Sequence, residues 1–334
     1  MHKIAFYFLG LFFLISCKKT YQPIQPPSGN GNYNVFNIIN AQNSSLPSDS
    51  IRDLFVSGQK LFVCTSNGLA VFENNNWQVY NTSNSGITTN DITCCWATDS
   101  VWWIGSKNGL IKYNLSTQQW TLWNAFNSPL PASKIRSLCL DINNYLWIGT
   151  FSGGGLAKFD GNTWQIYTPS NSPLPSNSVA KIFCTDSIYW IASGGGLSKF
   201  NGIQWKNFNP GNSGLNNAWV YDIIQGTNAN EIWIATNNGI NLYNYINDIW
   251  QSFNASNSGL SSDFTRSLYY DSNKNILFVA TDGNGLFLYY LNSGKWLHYE
   301  YPPYNIPSNF LKDVVSFQNQ IWVATSDKGI AVLI

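Results

Sequence analysis

One phrase returns along this chain with a period near 43 residues. A copy reads Tyr145-Leu146-Trp147-Ile148-Gly149-Thr150, then a glycine turn, then Gly155-Leu156-Ala157-Lys158-Phe159 and Trp164-Gln165-Ile166-Tyr167. Counterparts centre on Gly68, Gly109, Gly196, Gly239, Gly285 and Gly329, and the seven glycines are spaced 41, 46, 41, 43, 46 and 44 residues apart. That is the length of a four-stranded propeller blade. A unit of this size cannot bury its apolar face alone, so the copies stack into one domain despite the 334-residue length.

Composition agrees. Charged residues are 10% of the chain and aromatics 16%, which excludes disorder, since that needs low hydrophobicity and high charge. Asn, Ser, Thr and Gly beside Val, Ile, Trp, Tyr and Phe read as strands joined by many turns.

The first residues read as an export signal. Lys3 supplies the positive start, and Ile4 to Ile15 form an apolar run too short to span a membrane as a helix. Leu14-Ile15-Ser16-Cys17 resembles a bacterial lipobox, which implies a signal peptide over 1–16 and a lipid on Cys17. Residues 17–32, with Pro23, Pro26, Pro27, Gly29 and Gly31, form a tether. Lys18 and Lys19 follow the cysteine without an aspartate or an acidic run, which points to an outer-membrane lipoprotein facing the periplasm. Beyond residue 16 the chain carries 17 basic and 17 acidic side chains, so it offers no excess charge to a nucleic-acid backbone. Contact with a membrane is expected through the lipid alone.

Five cysteines remain after Cys17: Cys64, Cys94, Cys95, Cys139 and Cys184. An oxidising compartment permits disulfides, but the odd number and the placement inside predicted strands argue against them. Cys64 fills the slot of Gly105, Gly149, Ala192, Ala235, Ala280 and Ala324, so it reads as a small buried residue.

Each module over 33–334 follows one plan: an Asn-Ser turn, an innermost strand a, strand b with the Trp-Ile-Gly/Ala phrase, strand c with Gly-Leu-x-x-Phe/Tyr, and strand d with Trp-x-x-Tyr. The turns are Asn43-Ser44, Asn84-Ser85, Asn127-Ser128, Asn171-Ser172, Asn212-Ser213 and Asn257-Ser258, with a degenerate seventh at Asn305-Ile306-Pro307. The seventh module ends at Ile334 without a strand d, while Tyr33-Asn34-Val35-Phe36 stands before the first turn as an orphan strand d. The expected fold is therefore an all-β, seven-bladed propeller whose last blade is closed by the N-terminal strand, leaving no open sheet edge. The aromatics of strand b (Phe62, Trp103, Trp147, Trp190, Trp233, Phe278, Trp322) and of strand d (Trp77, Trp120, Trp164, Trp205, Trp250, Trp296) read as inter-blade core.

The phrases Leu146-Trp147-Ile148-Gly149-Thr150, Gly154-Gly155-Leu156-Ala157-Lys158-Phe159-Asp160 and Asn171-Ser172-Pro173-Leu174-Pro175 resemble the two-component regulator propeller repeat. The resemblance covers essentially all of 33–334. It implies a seven-bladed propeller of the kind found in the periplasmic part of hybrid sensor kinases that respond to glycan fragments. Those motifs are structural, and with one propeller and neither kinase nor regulator domain the chain is not expected to signal by phosphotransfer itself.

A binding site should break the seven-fold monotony. Nine residues after each turn asparagine come Arg52, Thr93, Arg136, Ala180, Tyr221 and Arg266, with Lys312 as the seventh. Four of these seven are basic, around the expected channel mouth, where they would attract a carboxylate, sulfate or phosphate. The competing reading is internal pairing with Asp53, Asp222 and Asp313, one residue further along the same strands. Two residues before the ring stand Ser50, Asp91, Lys134, Ser178, Trp219, Phe264 and Phe310. Trp219, Phe264 and Phe310 belong to consecutive blades and, with Tyr221, would form an aromatic arc suited to stacking on a sugar; Phe151 would join from blade 3. Packing between blades explains such side chains equally well.

Enzyme chemistry finds little support. His2 and His298 are the only histidines, so no His-based triad or zinc site can be assembled, and no metal or cofactor is expected. Gly153-Gly154-Gly155 and Gly194-Gly195-Gly196 join strands and do not open a helix, so they are turn glycines. Asp282-Gly283-Asn284-Gly285 faintly resembles a calcium loop without its closing carboxylate. Asp99, Asp141, Asp186 and Asp271 recur after strand a as turn residues. The sequence thus points to a binding protein for a glycan or small anion, used in sensing or scavenging. A protein-interaction scaffold in an envelope complex is the alternative, and a polysaccharide lyase or hydrolase, working through rim carboxylates such as Asp91 or Asp263, is less favoured.

Overall fold

The computed structural model describes residues 33–151, 153–302 and 306–334. The expected signal peptide, Cys17 and the tether lie outside the described residues, as does Asn305 of the seventh turn.

Seven four-stranded antiparallel sheets form the ring. Six are contiguous in sequence, over 51–80, 92–123, 135–167, 179–208, 220–253 and 265–299. In each, the strand order follows the chain, as in blade 3, where a, b, c and d are Ile135–Leu140, Leu146–Thr150, Leu156–Phe159 and Trp164–Tyr167. Blade 7 takes three strands from 311–333 and its outer strand from Val35–Ile39. Ile38 pairs with Ala331 and Val35 with Leu333, and Asn34 and Ile334 exchange backbone hydrogen bonds of 2.9 and 3.0 Å. The seven-bladed ring closed by its N-terminal strand is as the sequence requires.

The repeated glycine has a specific cause. Gly68 opens strand c at φ +128°, and a Cβ there would collide with the Tyr80 carbonyl on strand d. At Gly329 (φ +79°) the colliding carbonyl belongs to Ile39, so the N-terminal strand occupies the strand d position of blade 7, although its register slips between Val35 and Asn37. The Thr or Ser that ends strand b (Thr65, Ser106, Thr150, Ser193, Thr236, Thr281, Thr325) donates its hydroxyl to the carbonyl of that same glycine, at 2.7–3.0 Å.

The strand b aromatics are buried between blades. Each strand d tryptophan lies beside the aromatic opposite it on strand c, as in Tyr113–Trp120 and Tyr243–Trp250, with ring centroids 4.2 and 3.9 Å apart. Such pairs add about 0.5–1.5 kcal/mol each beyond the area they bury. The strand b set is core, as expected, whereas the strand d tryptophans are half-buried and pack against the core from the outer strand.

Strand a carries a feature the repeat does not advertise. In every blade its pairing with strand b slips by one residue at the same place, between Ile51 and Asp53 in blade 1 and at the equivalent points through Leu311 and Asp313 in blade 7. The extra residues of these β-bulges are Arg52, Thr93, Arg136, Ala180, Tyr221, Arg266 and Lys312, the seven residues of the expected mouth ring. A bulge re-aims side chains that simple alternation would send to opposite faces.

One expectation fails. Cys139 and Cys184 form a disulfide between the innermost strands of blades 3 and 4, their Cα atoms 6.4 Å apart. The two lie one repeat apart in sequence, and neighbouring strands a converge on the axis, which brings them within bonding reach. Cys64, Cys94 and Cys95 are buried thiols, as the slot of Cys64 suggests.

Candidate functional site

The bulges build a cavity of about 430 Å³ at the channel mouth, and all seven bulge residues line it. Because of the re-aiming, the next residue of strand a lines it too in several blades: Asp53, Lys181, Asp222, Ser267 and Asp313. Asp91 and Lys134 from the loops entering strand a, and Lys107 and Phe151 from b–c turns, complete the charged and aromatic wall. Seven cations therefore face four carboxyl groups, an excess that favours an anion.

The expected pairing of mouth cations with Asp53, Asp222 and Asp313 is not what forms. Those carboxyls instead accept backbone N–H groups of the following blade: Asp313 takes Leu54 N at 2.8 Å, Asp222 takes Leu268 N at 2.9 Å, and Asp53 takes that of Cys95. Ser137 does the same for Ile182, at 2.9 Å. Of the three acids, only Asp222 also holds a cation, Lys181 at 3.2 Å. Asp222 accordingly holds the Lys181 ammonium above its ordinary pKa despite burial. Burial, with Asp313 nearby, pushes the Asp53 carboxyl well above its ordinary value, and burial raises Asp313 as well.

The mouth cations find other acids. Arg52 meets Asp91 at 3.5 Å, and Lys107 closes on the other oxygen of the same carboxylate. Arg266 and Lys312 share Asp282, at 2.7 and 3.3 Å. Burial lowers the Lys312 pKa, with the Asp282 charge opposing. Asp282 is thus a counter-ion, which accounts for the fragment that resembled a calcium loop; no group of three His, Cys, Asp or Glu suited to a metal occurs among the described residues.

The aromatic arc divides. Tyr221 lies in the cavity wall, and Phe264 packs edge-on against it at 5.5 Å, the Arg266 guanidinium lying 4.4 and 4.3 Å from the two ring centroids. Trp219 and Phe310 stand outside the lining, each 51% exposed, resting against the b–c turns at Gly194 and Gly283. Phe151 does join from blade 3, with Lys134 Nζ 4.4 Å and the Arg136 guanidinium 5.2 Å from its ring centroid. His298 is far from this chemistry in kind: it stacks on Phe287 at 4.0 Å and shares a 2.6 Å hydrogen bond with the Asn284 carbonyl. Asp141 is a turn residue that also accepts from Trp147 Nε1 and, across the blade boundary, Tyr189 Oη.

Lys181, Lys107 and the counter-ion role of Asp282 escaped the sequence reading. The signal for Lys181 was its place one residue after Ala180, which matters only once the bulge is known.

The two component regulator propeller model matches residues 129–152, which include the first two strands of blade 3. No curated protein matches the sequence. Among solved structures, the extracellular domain of BT3049 from B. thetaiotaomicron, described as a hybrid two component system, is similar over 85% of this chain and 40% of its own, with 23% identity and a TM-score of 0.70. PorZ of Porphyromonas gingivalis, a surface component of the type-IX secretion system, is similar over 86% of this chain and 46% of its own, at 14% identity and a TM-score of 0.67. Virginiamycin B lyase from Staphylococcus aureus is similar over 89% of this chain and 98% of its own, at 14% identity and a TM-score of 0.68. The chain spans about two fifths of the first solved structures it matches. These likenesses establish a shared fold.

Proposed function

We propose that this propeller works outside the cytoplasm, held at the outer membrane through a lipid on Cys17, and binds a glycan or small anionic molecule in its mouth cavity for sensing or scavenging. The observation that carries this reading is the cavity itself: about 430 Å³, within the range of small-molecule sites, walled by a cation excess and edged by aromatic rings. Arg52, Arg136, Arg266 and Lys312 supply charge, and Tyr221 supplies a flat apolar wall. Trp219, Phe264 and Phe310 extend that wall outward, where a longer glycan would run. The short repeat match and the likeness to extracellular domains of two-component systems support an extracytoplasmic sensing role.

Thermal-shift screening of the full chain against a glycan panel tests the reading. A ligand that raises the melting temperature and quenches Trp219 fluorescence is expected. Stabilisation by no glycan or anion, or binding untouched by Trp219→Ala and Phe264→Ala together with Tyr221→Ala, would remove the site.

A scaffold role is the second reading. Phe126 is 94% exposed in the turn that enters blade 3, and Ile203 is 86% exposed in a c–d turn, which a protein partner would cover. The similarity to PorZ, part of a secretion assembly, lies in the same direction. Crosslinking followed by co-purification would favour it if the contacts spread well beyond the mouth. Catalysis, the reading suggested by the lyase likeness, requires turnover that a single carboxylate change such as Asp91→Asn abolishes.

A further inference from the structure

The mouth cations are not equivalent. On blades 1 and 2, Arg52 and Lys107 share Asp91; on blades 6 and 7, Arg266 and Lys312 share Asp282; deeper, Lys181 meets Asp222. Blade 3 differs. Neither Lys134 nor Arg136 has a carboxylate within ion-pair distance among the described residues.

What both cations have is the ring of Phe151. One blade supplies all three residues, and the Phe151 N–H donates to the Lys134 carbonyl at 3.0 Å, which fixes the b–c turn beside the start of strand a. An aromatic face orients a cation without cancelling its charge. Across the cavity Arg136 senses Arg266, and burial together with that repulsion lowers its pKa. A partly buried guanidinium in this position gains most from an arriving anion, because every cation in the wall other than Arg136 and the exposed Lys134 would have to share its acid.

We propose that Arg136 and Lys134, backed by Phe151, form the anion subsite of the mouth cavity and take the carboxylate or sulfate of an acidic sugar. The planar fork of Arg136 engages two oxygens of the group, and Lys134 adds a point charge from the rim. The aromatic wall of Tyr221 on the far side is left for the sugar ring. This assignment rests on the cavity being a ligand site.

The test is calorimetric titration of the full-length protein with galacturonate, galactose 6-sulfate and neutral galactose. The carboxylate and sulfate arms separate the two sources of charge. A preference of roughly tenfold to hundredfold for an acidic sugar over galactose is expected, the size of one charge-assisted contact. Arg136→Gln should abolish that preference, and Arg136→Lys should restore part of it. Lys206→Gln, an equal change of charge on strand d outside the cavity lining, should leave it within about twofold. If Arg136→Gln does not fold, Lys134→Gln at the exposed rim serves, with a several-fold loss expected. Equal affinity for all three sugars, or a preference that survives both neutral substitutions, overturns the subsite while leaving the cavity as a ligand site. Binding of none of the three overturns the subsite as well, and the glycan screen then decides separately whether the cavity binds anything.

Discussion

Arg266 places both Nε and Nη2 on one oxygen of Asp282, at 2.9 and 2.7 Å, while Lys312 reaches the same carboxylate from the next blade. One acid from a b–c turn is thereby shared by two of the four basic bulge residues, offsetting one of their two charges, and ties blade 6 to blade 7 at the mouth. The positive field of the cavity is consequently lopsided, strongest beside blade 3, where neither Lys134 nor Arg136 meets a carboxylate among the described residues.

Asp282→Asn should release both cations. The group is partly buried, so its loss is expected to cost about 1–3 kcal/mol in urea unfolding, the range for a hydrogen-bonded charge left without its partner. Anion affinity should move the opposite way and tighten several-fold, with a steeper salt dependence. A variant that loses stability and anion affinity together would place Asp282 in direct contact with ligand.

Closure by the N-terminal strand should dominate stability. Starting the chain at Asn40 removes the partner of Ile330–Leu333 and bares a sheet edge. A fall in unfolding free energy of about 3 kcal/mol or more is expected, beyond the ordinary range of single substitutions, with association on size-exclusion chromatography. An unchanged melting temperature would mean that blade 7 is complete without Val35–Ile39.

Closure was legible because the missing strand d and the orphan strand d carry the same spacing, and Gly329 repeats the steric need of Gly68. The mouth ring was legible as positions but not as geometry. A bulge is a slip of backbone register, and the residues at it here are Arg, Thr, Arg, Ala, Tyr, Arg and Lys, with no shared side chain to announce it. Without the bulge, Asp53, Asp222 and Asp313 read as partners for the mouth cations, whereas they line the cavity beside them and accept backbone N–H groups of the following blade. The true counter-ions, Asp91 and Asp282, come from loops of differing length, whose reach no repeat alignment fixes. Cys139 and Cys184 escaped for a related reason: they sit three and four residues after their bulge residues, so aligned repeats do not pair them.

The disulfide itself is testable. Three thiols, Cys64, Cys94 and Cys95, should titrate in the denatured, unreduced propeller, and five after reduction. Replacing Cys139 and Cys184 by serine opens a link spanning 45 residues and should cost about 3–4 kcal/mol on the loop-entropy estimate. Five titratable thiols without reductant would show the pair unbonded.

The buried acids set a pH dependence whose sign follows from their environment. Asp53 is pushed up by burial and by Asp313, so the folded state holds a proton that the unfolded chain has released. Such a group costs nothing below the ordinary carboxyl pKa of about 4 and destabilises progressively as pH rises from there through its raised folded value. Asp53→Asn keeps an oxygen to accept the Cys95 N–H and has no charge to bury. Its unfolding free energy should therefore match wild type near pH 4 and exceed it near pH 8, with the gap opening between. Urea midpoints measured across that range decide the matter. A gap that narrows as pH rises would mean Asp53 is stabilised as a carboxylate, with Lys181 outweighing burial in the channel.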